Sequence, residues 1–539
     1  MSRFTDFVEG YLNFKWRTSP LSATFAGIHE YDHELDNVNA DFIHQVNLNK
    51  KEYLSELERI PKHELTDTEQ IDWQLLGNEI KSEIKDYEEI QFWRTHAAVY
   101  PEICAHSMFI LWIREFAPLE KRASAILARM REVPRILRDG ARNLENCPQL
   151  FVNLGIEMTD GCVSFIQDLV PKLGAKVPGI KKPLEDAATK ALSALQDYRQ
   201  YLKDELLEKS SGDFAVGKTL FEFKLKNDHL LPYTAQEILE IGQDMKAKTE
   251  DAMRQVAQKI DPEKGWFEVI SEVKKVHPKP SELLQTYKKE MESARDFVIR
   301  KGLVTIPADE RLDVIPTPSF SRPIIPYAAY MNPAQFEEEQ TGHFYVTLID
   351  ENLSPEEKEE ILRGHPSFGI PVIALHEGYP GHHLQLVIAN KLENRLRRLL
   401  ETTVFVEGWA LYCEEMMYDA GFYRDPRSRL LQLKDQLWRA CRVIIDVGLH
   451  TKTMSYEQAV DLLVNDAKLQ RVHAQKEVTR YTYTPTQPMS YLIGKKQILE
   501  FRNDYQKKLG NDFKLRDFHD KLLSFGSIPV CLIRDAFGL

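Results

Sequence analysis

The sequence predicts a large, mainly α-helical fold carrying one small mixed β-sheet, on the strength of three observations. Apolar residues recur three and four positions apart among many charges through the first three hundred residues, which is the helical period. Proline then becomes dense between Val304 and Ile349, where short aromatic and β-branched runs replace that period. Helical patterning resumes after Ser354 and continues to the end.

Each element can be argued in turn. Asp41–Ile60 and Thr66–Tyr87 are predicted helices, as are Leu184–Leu207 and Thr234–Ile260. The last opens on Thr234 with Glu237 three residues on, the pattern of a reciprocal N-terminal cap. Two extended stretches follow, Ile324–Tyr330 and His343–Leu348. Thr482–Pro488, punctuated by proline, is predicted as a loop leading into a final helix. The change of texture divides the chain into a helical shell domain, 1–302, and a region 303–539 that carries the sheet and the chemistry, the two forming one integrated fold. No fixed-period repeat supports a solenoid.

Composition excludes several classes of function. With 70 basic against 82 acidic residues the chain is acidic overall, so no nucleic-acid role is expected. No apolar run approaches the length of a membrane span, and no membrane association is expected. The start, MSRFTDFVEGYLNFKW, lacks the apolar core of a secretory signal, which predicts a cytoplasmic protein. The six scattered cysteines form no CxxC pair and read as buried, reduced thiols.

Residues 374–386, ALHEGYPGHHLQL, concentrate the chemistry. A neutral imidazole can ligate a metal while an adjacent carboxylate takes a proton from water, so His376 and Glu377 are the raw material of a zinc hydrolase. The compact form of such a motif, HExxH, puts both histidines on one helical face. Here position i+4 is Pro380, and the next histidines are His382 and His383. In an unbroken helix, i+6 lies about 120° around and about 9 Å along the axis, too far to share an ion. Pro380 and Gly381 predict a kink that returns one of the two histidines to the metal, His382 after a two-residue bulge or His383 after three. A third ligand is needed, and Glu407 in FVEGWALYCEEM is the candidate. Glu414, two turns later on the same face, can hold a ligand imidazole from behind.

Taken together these segments resemble the domain-of-unknown-function family 885, grouped with the zincin-like metallopeptidases. The resemblance rests on SPLSATFAGIHEYDHELDN, GDFAVGKTLFEFKL, TPSFSRPIIPYAAY with GHFYVTLID, ALHEGYPGHHLQ, VEGWALYCEE, LWRACRVIIDVGLH and EVTRYTYTPTQPMSYLIGKKQI, in that order. It implies a large helical zincin-like fold with the small sheet beside an active-site cleft, and one zinc ion. The family form HExxPGH followed by His or an aromatic favours His382 as ligand. The glutamate helix is similar to that of the thermostable carboxypeptidase and thimet oligopeptidase families, although those keep the compact HExxH.

The resemblance also directs attention to Arg439, Arg442, Asp446 and His450, and to Arg480, Tyr481, Gln487 and Tyr491 around the late loop. Arg442, His450, Arg480 and Gln487 are the expected substrate-binding residues. Tyr491, with Tyr481 second, is the expected donor to the developing oxyanion. The implied activity is a metallopeptidase in which Glu377 is general base and then acid. Its alternatives are a metal-dependent hydrolase of a small-molecule amide, imine or C–C bond, and a non-catalytic metal-binding scaffold. The extended segments would pair with substrate backbone by strand addition.

Overall fold

The computed structural model describes residues 3–318, 325 and 327–539. It is mainly helical, with one three-stranded mixed sheet. The chain forms two compact units, residues 1–214 with 334–339, and residues 215–333 with 340–539.

The first unit is all helix. The expected segments appear as α1 (Ala40–Glu58) and α2 (Asp67–Lys85), the latter capped by Thr66 and Glu69. Three long helices follow, α3 (Leu119–Asn143), α4 (Gln149–Lys176) and α5 (Lys181–Tyr201), and they pack on one another.

The second unit opens with α6 (Ala235–Ile260), whose Thr234 hydroxyl accepts from the Glu237 N–H while the Glu237 carboxylate accepts from the Thr234 N–H. The short α7 (Trp266–Val273) and α8 (Leu283–Lys301) precede the sheet. The expected domain boundary at 302/303 falls inside this unit. The reason is packing: α6 lies along a later helix, residues 426–450, closely enough that a Cβ on Gly242 would stand 2.8 Å from Val443 Cγ1.

The sheet comprises β1 (Arg311–Pro316), β2 (Ala328–Met331) and β3 (Thr341–Val346). Its order is β1-β3-β2, with β1 parallel and β2 antiparallel to β3. The expected stretch Ile324–Tyr330 contributes the end that lies in β2; Ile324 and Pro326 are outside the described residues. The stretch His343–Leu348 supplies β3, but as the central strand it is hydrogen-bonded on both sides and cannot add a substrate strand. Strand β1, RLDVIP, escaped the sequence reading because its proline and charges look like loop.

Helices resume with Pro355–Leu362 and include α9 (Ile370–Glu377), α10 (His382–Asn390), α11 (Thr403–Asp419), α12 (Pro426–His450), α13 (Arg471–Thr482) and α14 (Ser490–Leu509). Helix α12 is the axis of the unit, buried without interruption from Ala440 to His450. No helix among the described residues is long and apolar enough to cross a membrane. Five of the six cysteines are buried as expected; Cys531 is exposed.

Candidate metal centre

The HE motif is broken into two helices rather than kinked within one. Helix α9 stops at Glu377, and Gly378–Gly381 steps back onto its last turn, the Gly381 N–H donating to Leu375 O at 3.0 Å. Glycine is required at both ends of this step. A Cβ on Gly378 would lie 2.0 Å from Met291 Sδ, and one on Gly381 would lie 1.8 Å from His376 O. Pro380 follows a cis peptide bond and has no N–H to satisfy, while its carbonyl accepts from the Trp409 indole N–H at 2.8 Å. His382 therefore begins α10 beside His376, with ring centroids 4.8 Å apart and planes at 84°.

Helix α11 brings Glu407 to the same place. Its Oε2 lies 3.3 Å from His382 Nε2. His376, His382 and Glu407 each offer one ligand atom, all within 4.8 Å of one another. On His376 the hydrogen bond from Nδ1 to Glu414 Oε1, 2.8 Å, leaves Nε2 with its lone pair for an ion. Glu414 is 1% exposed and its other oxygen accepts from Gln432 Nε2 at 3.2 Å, so the imidazole is held in orientation and tautomer. Two imidazoles and one carboxylate are a zinc donor set. Two atoms here also want a partner: Glu407 Oε2 and His382 Nδ1 are buried with no hydrogen bond. A buried carboxylate oxygen without a donor is costly, and a cation removes that cost. The residues fit a zinc ion.

Electrostatics support the grouping. Burial alone would raise the Glu407 carboxyl, but the neighbouring His382, the charge of His376 and the Tyr491 hydroxyl hold it at about 2. Burial opposes charge on His382, yet Glu407, Glu377 and Glu401 together raise its pKa. Glu377 thus acts on His382 from the end of α9, and it lies near enough to Tyr287 and Tyr330 to raise theirs as well. Glu401, which no motif marked, has its carboxyl raised by crowding and by Glu407, against the opposing charge of His382.

The sequence pattern of the family described as bacterial protein of unknown function, DUF885, matches residues 20–537. The chain belongs to DUF885. No curated protein matches it. Among solved structures, a candidate lipoprotein of unknown function from Shewanella oneidensis is similar at 26% identity and a TM-score of 0.84, with 100% of both chains covered. A candidate lipoprotein from Colwellia psychrerythraea shares the fold at 19% identity and a TM-score of 0.85, covering 100% of this chain and 99% of that one.

In this DUF885 chain His383 is turned away from the three ligand candidates. Its Nε2 is 2.8 Å from Glu310 Oε2 and its Nδ1 is 3.1 Å from the Tyr330 hydroxyl. Strand β3 lies flush against the ring, since a Cβ on Gly342 would stand 2.5 Å from His383 Nδ1. Glu310 also accepts from Tyr379 Oη at 2.6 Å and from Arg295 Nε at 3.0 Å. Burial raises this carboxyl, and His383, Tyr379 and Arg295 outweigh it to lower it. The second histidine of the pair therefore ties the Gly378–Gly381 step to the sheet. Glu310, Arg295 and Tyr330 lie in no motif, and only their folded positions reveal them.

The late residues separate into two groups. Tyr491 reaches the centre, its hydroxyl near enough to lower the Glu407 carboxyl, with the Arg442 and Arg439 guanidiniums 4.9 and 5.5 Å from its ring. Tyr481 does not. Fully buried, it donates to Glu477 Oε2 and accepts from Arg442 Nε, both at 2.8 Å, and has no surface for an oxyanion. His450 is likewise fully buried, 3.0 Å from Tyr481 O and stacked on Phe221, so it cannot touch substrate. Arg442 bonds Tyr481 and Glu477 behind the ring of Tyr491, a supporting position. Arg480 bonds Glu477 and Gln487. Asp446 accepts from the N–H groups of Thr486 and Met489 and so anchors the loop between α13 and α14.

Proposed function

We propose that this DUF885 chain is a zinc-dependent hydrolase that cleaves peptide bonds, its ion held by His376, His382 and Glu407. The observation that carries the reading is the convergence of those three on one point, with Glu414 behind His376 and the Glu377 carboxylate, unpaired among the described residues, one residue away. The Glu407–Glu414 spacing is also that of the zincin-like glutamate helix, which supports the peptidase class. Zinc bound here supplies Lewis acidity, polarising a carbonyl and acidifying water.

The chain's own residues do the rest. Glu377 accepts the proton of the attacking water and returns it to the leaving amine. The Tyr491 hydroxyl donates to the carbonyl oxygen as charge develops there. Burial and the charge of Glu407 raise its pKa, so at neutral pH it is a donor, the neighbouring arginines only moderating the shift. Trp409, which donates to Pro380 O, keeps the loop that carries His382 in place.

The decisive test is Glu377→Gln in the full chain, with zinc content and peptide hydrolysis measured together. One zinc per chain should remain while turnover falls by about 10³-fold or more. Unchanged turnover would remove Glu377 from the mechanism. Both similar structures are of candidate lipoproteins; fractionation of cells making the full chain separates an envelope location from the cytoplasm.

A further inference from the structure

A pocket of about 1020 Å³ opens between α9, α12, α13, the helix Pro355–Leu362 with the turn after it, and the segment after α7. Three helices line it with a stripe of residues, and each stripe leads toward the metal centre. On α9 it is Ile373, one turn before Glu377. On α12 it runs through Leu431, Lys434, Asp435, Trp438 and Arg439, the next turn being Arg442. On α13 it is His473, Lys476 and Glu477, with Arg480 next. Arg439 is the bridge, since it lines the pocket while its guanidinium lies 5.5 Å from the ring of Tyr491.

The end of the pocket nearest Tyr491 is cationic. Lys274, Lys434 and Arg439 gather about Asp435, and Arg442 and Arg480, which stand behind the lining, share Glu477; the helix Pro355–Leu362 adds Glu356, Glu359 and Glu360, with Arg363 after it. Asp435 pairs with Lys434 at 3.1 Å and Arg439 at 4.0 Å. Glu477 accepts from Arg442, Arg480 and Tyr481. Lys274 has no ion pair among the described residues, and burial with the nearby charge of Lys434 pulls it down to about 8. On α12 three donors enclosed in the protein have no hydrogen-bond acceptor among the described residues: Trp438 Nε1, Arg439 Nε and Arg442 Nη1, the last on a residue behind the lining. Arg442 is 5% exposed, and its guanidinium lies 4.3 Å over the Trp438 ring, so these donors are clustered rather than scattered. Lys274, Lys434 and Arg439 thus share one carboxylate on the pocket wall, an excess of positive charge that suits an anion, and a planar one that suits arginine is a carboxylate.

We propose that this pocket holds a carboxylate of the substrate, with Arg439 and Lys274 as its contacts. The inference rests on the peptidase reading and deepens it: the bond cleaved lies close to a carboxylate-bearing end, which makes the protein an exopeptidase acting from the C-terminus. An acidic side chain presents the same group, and the experiment separates the two sources.

The test is equilibrium binding to the metal-free full chain, which needs no turnover. Three probes suffice: Ala-Ala-Phe, its C-terminal amide, and Ala-Asp-Phe amide. The free acid should bind about ten-fold or more tighter than its amide. Arg439→Gln and Lys274→Met should each erase most of that difference and leave amide binding within about two-fold. Ala-Asp-Phe amide matching the free acid would assign the pocket to a side-chain carboxylate and overturn the C-terminal assignment. Acid and amides binding alike, discrimination surviving both substitutions, or no binding at about 10 mM would overturn the proposal. Zinc-loaded protein that discriminates in this way but hydrolyses nothing would leave the pocket standing and refute the peptidase reading.

Discussion

Glu414→Gln isolates the residue behind the first ligand. The carboxylate is 1% exposed and accepts two hydrogen bonds, from His376 Nδ1 at 2.8 Å and from Gln432 Nε2 at 3.2 Å. A carboxamide has one oxygen and one NH2, so it can serve only one of these donors. Gln432 cannot turn to help, because its own oxygen accepts from Arg429 at 2.6 Å. With the new oxygen toward His376, two NH2 groups face each other at Gln432, a buried mismatch worth about 1–3 kcal/mol of stability. With the NH2 toward His376, Nδ1 must accept, and the imidazole proton moves to Nε2, the nitrogen that would ligate. Either arrangement weakens zinc, by about 10–100-fold for a partner of a ligand histidine, or about 1.4–2.8 kcal/mol. Competition with a chromophoric chelator gives the affinity, and thermal unfolding gives the stability. Glu415→Gln is the control, because Glu415 pairs with Arg429 and Lys495 and should lower stability while leaving zinc affinity intact. Zinc affinity unchanged in Glu414→Gln, or reduced equally in the control, refutes the argument.

Three further outcomes are expected. Gly381→Ala sets a Cβ 1.8 Å from a backbone carbonyl, which no rotamer relieves, so α10 must shift and carry His382 with it. Stability should fall by about 3 kcal/mol with a parallel loss of zinc binding, while Gly161→Ala, in α4 with nothing within 4 Å, stays neutral or gains slightly. Tyr491→Phe should retain stoichiometric zinc and lose about 10²-fold in kcat, and an unaltered rate would remove the phenol from the mechanism. Acid should destabilise the fold through buried neutral histidines. Burial lowers His229 and His519 to about 4, against about 6.5 in an unfolded chain. Between those values only the unfolded chain takes up the proton, so their contribution is complete above pH 6.5 and is lost as pH falls toward 4, by at most about 3 kcal/mol each. Urea midpoints at pH 7.5, 6 and 5 should fall in step, with a shallower slope in His229→Gln; a flat wild-type profile contradicts the assignment.

What the sequence made legible was local. Helix periods and the Thr234–Glu237 cap are written within a few residues, and the structure forms them as expected. The grouping of His376, His382 and Glu407 was legible too, because a stretched HE motif and a Glu407–Glu414 pair each span two turns or fewer. Spacing alone did not choose between His382 and His383, which the family form did: the physical reason is Glu310, 73 residues away, which captures His383. Tyr481 and His450 looked as available as Tyr491, since type and spacing do not reveal burial. Their withdrawal follows from α12 being enclosed on every side over its last turns. The misplaced boundary has the same cause, because α6 belongs by contact to helices that follow it by almost two hundred residues.

The glycines of α11 and α14 show how such long-range information can still be one physical contact. A Cβ on Gly408 would stand 2.4 Å from Gly494 Cα, and one on Gly494 would stand 1.8 Å from Val404 O. The two helices therefore cross with backbone against backbone, closer than any side chain allows. Glu407 immediately precedes the first glycine and Tyr491 lies one turn before the second. The third ligand candidate and the proposed oxyanion donor are thus set against each other by a crossing that neither residue makes. A side chain at position 494 would push α14 off α11 and separate them without altering any residue of the metal centre. The nearness of Tyr491 to Glu407 is a consequence of two absent side chains.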